Sequence, residues 1–173
     1  MNKGIISIIA AVILLISSII SGAIFFGCAK SPDGLGAMQS IIDGCNKKSE
    51  SQIMKNFDEM YEKIYFSKPD FSKCVTSDDY LKVLGASFDY MYDEDCKTEQ
   101  FRIIGTKEEE LTDDVLDGFN RYLGEYAGDK KPSVFYAYLA ADYTDADGVS
   151  HTAMNTLGVV ALNGKVLGFV HLG

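Results

Sequence analysis

Residues 155–172 read NTLGVVALNGKVLGFVHL, two apolar runs rich in strand formers that meet at Asn163-Gly164. Asn-Gly is the dipeptide a two-residue hairpin selects, because both central positions of a type I′ turn take positive φ and its twist matches that of the flanking strands. The sequence therefore predicts extended runs over 149–162 and 165–172 joined by that turn. A third run, 134–143, precedes them, so three consecutive antiparallel strands are expected.

Toward the N-terminus the pattern changes to helical spacing. Phe101-Arg102-Ile103-Ile104-Gly105 is short and rich in strand formers, and Thr112-Asp113-Asp114 opens an amphipathic stretch through Val115, Leu116, Phe119, Leu123 and Tyr126. Gly128 suits the end of that helix. Ser77 with Asp78-Asp79 starts another, in which Leu81, Leu84, Phe88 and Met91 share a face. Ser49 and Gln52 have the spacing of a capping box, followed by Ile53, Phe57, Met60, Tyr61, Ile64 and Tyr65 until Pro69 forbids continuation. Residues 29–48, with Pro32, Gly34, Gly36 and Gly44, read as a tether holding a short helix around Met38–Ile42. The expected class is α+β, with helices packed on a curved, mainly antiparallel sheet over 49–173. This order of elements resembles the cone-shaped superfamily of nuclear transport factor 2, also described as cystatin-like. The resemblance implies a pocket between sheet and helices, in a group that contains isomerases, dehydratases and dimerisation modules. It carries over no functional residue.

The first 28 residues have a different character. Between Ile5 and Phe26 there is no charge and no Pro, and a helix of that length would span roughly 33 Å against a hydrocarbon core of about 30 Å. Lys3 lies on the short side of the run and the acidic remainder follows it, so the amino end is expected inside and the domain outside. Ile24-Phe25-Phe26-Gly27-Cys28 resembles the lipobox of bacterial lipoproteins, which makes Cys28 a lipidation candidate and implies cleavage before it. Phe25 departs from the usual Leu. An uncleaved span and a lipid anchor both stand, and either leaves the domain tethered at the cell membrane on its extracytoplasmic side.

The net charge of −9 repels phosphate backbones, so nucleic acid is not an expected partner. Four cysteines, Cys28, Cys45, Cys74 and Cys96, show no CxxC spacing, and with two histidines in the chain no metal site or cofactor is expected. Three pairings of four cysteines exist. Cys74 and Cys96 bracket a predicted helix and are the disulfide candidate.

Asp142-Tyr143-Thr144-Asp145-Ala146-Asp147-Gly148 has some features of a calcium loop, but aligning Gly148 with the obligatory glycine puts Tyr143 and Met154 where carboxylates are required. It reads as the connection of a hairpin. His151, His171 and Asp142, beside Tyr136 or Tyr138, are the groups an acid–base pocket would use, and the plain reading is a cross-strand polar contact. GxSxG, HExxH, GxxxxGK[ST] and GxGxxG are all absent from the sequence. Both faces of the strands are apolar, so the face away from the helices is covered by a second copy, a protein partner or the tether, or stands as a tolerated apolar surface. Two functions follow: a membrane-tethered extracytoplasmic binding or interaction module of unknown small-molecule or protein ligand, and, as the alternative, a small cofactor-free isomerase or hydrolase.

Overall fold

In the computed structural model, which describes residues 31–61, 69–110, 117, 121 and 131–170, four strands form one antiparallel sheet in chain order. They are β1 (Lys97–Glu109), β2 (Ser133–Thr144), β3 (Ser150–Leu162) and β4 (Lys165–Val170). Asn163 and Gly164 take φ of 54° and 75°, as the turn between β3 and β4 requires. Strand alternation gives the sheet an inner face: Phe101 lies opposite Ala141, Ala137 opposite Leu157 and Phe135 opposite Val159, all of them buried.

Three α-helices lie among the described residues. The first, α1 (Leu35–Asn46), falls in the stretch read as a tether. Met38, Ile41, Ile42 and Cys45 recur at helical spacing, have no exposed surface and join the inner sheet face in one core. The ordered domain thus begins earlier than residue 49. The glycines that suggested a tether mark close approach instead. Gly34 has φ 82°, and a Cβ there would lie 2.3 Å from the Ala161 Cβ; a Cβ on Gly44 would lie 2.6 Å from Cγ1 of Ile53.

The second helix, α2 (Glu50–Met54), has the expected Ser49 cap, whose Oγ accepts from the Gln52 N–H at 3.4 Å, but it stops after five residues. The chain then turns alongside β4. Phe57 forms a parallel bridge with Val166, in which the Asp58 N–H donates to the Val166 carbonyl at 2.8 Å and the Val166 N–H to that of Asn56 at 3.0 Å. This pairing covers the free edge of β4, and the Lys165 ammonium adds a bond to the Lys55 carbonyl. The third helix, α3 (Ser77–Val83), is capped one residue before the expected position, by Thr76 in a capping box with Asp79. Gly85, at φ 79°, ends its path, so Phe88 is extended and caps a separate turn of 3₁₀ helix, Asp89–Tyr92, that carries Met91, rather than continuing one helix.

The β1 edge is held from the end of α1. Asn46 Nδ2 donates to the Phe101 carbonyl and Asn46 Oδ1 accepts from the Phe101 N–H, both at 2.8 Å. One side chain supplies what a further strand would. On the other face of the sheet Met60, Val160, Leu162 and Leu167 form a second, smaller buried cluster with Val134 against it.

Of the helix expected over 112–126 only residues 117 and 121 are described, both helical, and the apolar run 5–26 and Cys28 lie outside the described residues. Among the described residues no helix is long and apolar enough to cross a membrane.

Candidate functional site

Two neighbourhoods on the sheet gather chemistry-bearing side chains. The first is the end of the β2–β3 hairpin. Asp145 turns its own connection: Oδ1 accepts from the N–H groups of Asp147 at 3.0 Å and Val149 at 2.8 Å, and Oδ2 meets His151 Nε2 at 2.6 Å. The His151 contact first, and the backbone donors next, hold the Asp145 carboxyl below the usual carboxylate range. Gly148 supplies the φ of 78° that the turn requires. The residues of the calcium-like stretch are thus the hairpin connection, and both oxygens of its Asp145 hold the hairpin itself. Among the described residues no three His, Cys, Asp or Glu side chains converge as metal ligands do.

His151 is also the outer end of a stack of rings. Tyr143 lies 5.2 Å from it, Tyr90 lies 3.9 Å from Tyr143 at an interplanar angle of 3°, and Phe88 and Phe101 continue the series into the core. The Tyr90 hydroxyl bonds to Thr98, and burial pushes its pKa up to about 12. On the opposite face Asp142 pairs with Arg102 and accepts from the Thr152 hydroxyl at 2.7 Å. The sheet therefore separates the two expected acid–base groups: Asp142 and His151 sit on different faces, each with its own partner and each partly exposed. His171 lies outside the described residues.

The second neighbourhood is a groove of about 340 Å³ on the outer face, lined by Ile104, Tyr138, Leu139, Met154, Asn155 and Thr156. A register shift between Ile103 and Gly105 leaves Ile104 as the extra residue of β1. Met154 is 71% exposed, Ile104 46% and Tyr138 37%, which is unusual for side chains of this size packed side by side. The Asn155 amide donates to the Ser87 carbonyl at 2.6 Å. Tyr136, the other aromatic singled out in the sequence, lies under the Lys107 ammonium, 5.7 Å from the ring centre.

Cys45 is buried, and Cys74 and Cys96 are partly exposed. Ile104, Met154 and Arg102 were not distinguishable in the sequence from other strand residues. Alternation gave both faces as apolar, and only the register decides which residues the second cluster leaves open.

Compared with family models, with curated proteins and with solved structures, the chain matches none of them. What the described residues define is an α+β domain: three helices and an open four-stranded antiparallel sheet.

Proposed function

We propose that the chain is a membrane-tethered binding module that displays this domain on the extracytoplasmic side and meets its ligand over Ile104, Tyr138 and Met154. The observation that carries the reading is the groove itself, because it keeps three large apolar side chains in water on a sheet whose other large apolar side chains, among the described residues, are buried or half-buried. The uncharged run 5–26 and the acidic remainder support the tether and its direction. Cone-superfamily membership is supported by helix α1 packed on an antiparallel sheet. An enzyme reading finds less support, since neither Asp142 nor His151 lines the groove.

The test places a photoreactive benzophenone side chain at Met154 of the full chain in its own cells. The control is Val75, at 74% as exposed as Met154 but away from the sheet. A discrete higher-mass product from position 154 and none from 75 is expected, and twice the chain's mass would identify a second copy as the ligand. Equal yields at both positions, or no product at 154, would sink the binding reading. Labelling with a palmitate analogue separates the two anchors, because only a lipoprotein loses label in Cys28→Ala. Protease added to intact cells should remove the domain.

A further inference from the structure

We propose that Cys45 and Cys74 form a disulfide that ties the end of α1 to the segment entering α3, made by exchange with a disulfide-carrying oxidant. Cys45 occupies the last turn of α1, with no exposed surface. Cys74 closes a turn on the Phe71 carbonyl at 3.0 Å, and the buried Phe71 ring stacks on Tyr80 of α3 at 5.2 Å. Three residues on, the Ser77 hydroxyl donates to the carbonyl of Asn46 at 3.4 Å, so the neighbours of both cysteines are hydrogen-bonded to each other. Both thiols pack on the same core.

The charges around them agree. Burial pushes the Cys45 thiol up to about 12, and Cys74 is the next contributor. Burial also raises Cys74, followed by Asp79, Asp70 and Glu50, the first residue of α2. Cys74 thus sits where the end of α1 and the starts of α2 and α3 meet. Cys96 lies in other company: burial raises its pKa, then Asp93 and Asp145 of the hairpin end. The surroundings favour Cys45 over Cys96 as the partner of Cys74. If Cys28 carries a lipid, this pairing leaves Cys96 as the remaining thiol.

Exchange begins at the more accessible sulfur. The Cys74 thiolate attacks one sulfur of the oxidant, forming a mixed disulfide as the oxidant's S–S bond breaks and the first thiol leaves. The Cys45 thiolate then attacks the Cys74 sulfur, the protein disulfide forms and the second thiol leaves. Two protons and two electrons pass from the cysteines to the oxidant. The proposal rests on the extracytoplasmic reading only for the supply of that oxidant.

The full chain in detergent, equilibrated with oxidised glutathione, is alkylated and digested with trypsin, which places each cysteine on its own peptide. The expected result is peptide 31–47 linked to 74–82, with loss of both alkylated forms. The link should persist in Cys96→Ser and vanish in Cys74→Ser. A link from 74–82 to 83–97, a Cys74–glutathione adduct alone, or two alkylated thiols overturns the pairing. The same digest of cells quenched with acid separates the two claims: linked peptides in detergent but alkylated ones from cells would uphold the pairing and overturn the extracytoplasmic placement.

Discussion

Asn46→Ala tests whether one side chain holds the edge of the sheet. Its amide makes two bonds of 2.8 Å to the backbone of Phe101, a residue 1% exposed in the middle of β1. A hydrogen bond contributes about 1 kcal/mol net, whereas a partly buried N–H or C=O left without a partner costs about 1–3 kcal/mol. The loss is therefore about 2–4 kcal/mol, or on the order of 10 °C in melting temperature for a domain of this size. Asn46→Asp keeps the acceptor for the Phe101 N–H but sets a carboxylate against its carbonyl, so it should group with the alanine variant. Urea denaturation of the full chain, followed by circular dichroism, gives the stability, and amide exchange at Phe101 gives the local effect. A loss of less than about 0.5 kcal/mol at unchanged m-value, with the Phe101 amide still protected, would refute the clamp.

Gly34→Ala combines positive φ with a clash against Ala161, and should cost about 1–3 kcal/mol. Gly36→Ala, two residues on in α1 with nothing within 4 Å of the new methyl, should be neutral or stabilising by up to about 1 kcal/mol, and thermal melts compare the pair. In acid, the N–H groups of Thr76 and then Val75 hold Asp79 below the usual carboxylate range. Its contribution is present above the unfolded-state pKa and is lost as pH falls through the folded one, so Asp79→Asn should flatten the decline of stability below about pH 4. In alkali the sign reverses for Tyr90: between about 10 and 12 the unfolded chain releases the phenolic proton and the native one retains it, so stability falls as pH rises. Tyr90→Phe should remove that portion of the fall and the tyrosinate absorbance change that accompanies it.

Much of the sheet was legible because its signals are local. Asn163-Gly164 sets a turn type, and the runs around it alternate on a two-residue period. Helix α1 was not, because Gly34 and Gly44 look alike as breakers and as sites of close packing, and only Ala161 and Ile53 across the gap tell the two apart. The long helix expected after Ser49 failed for a related reason: Phe57 and Met60 fit its apolar face, yet the residues either side of Phe57 bond to Val166 of β4, and Met60 is buried in the outer cluster instead. The hairpin connection at Asp145 was legible in its Asp and Gly residues. Placing Asp142 and His151 on opposite faces, and leaving Met154 open beside Tyr138, depends on strand register across three strands.

The bridge between Phe57 and Val166 has a consequence for biogenesis. Its flanking bond joins Lys55 to Lys165, positions separated by 110 residues, so the turn after α2 cannot complete its backbone pairing until β4 has left the ribosome. A closure over so long a separation is slow to form and keeps apolar surface uncovered in the nascent chain, the state that chaperones recognise. A bulky fusion set directly behind β4 would hinder that closing step more than one set behind a self-contained helix.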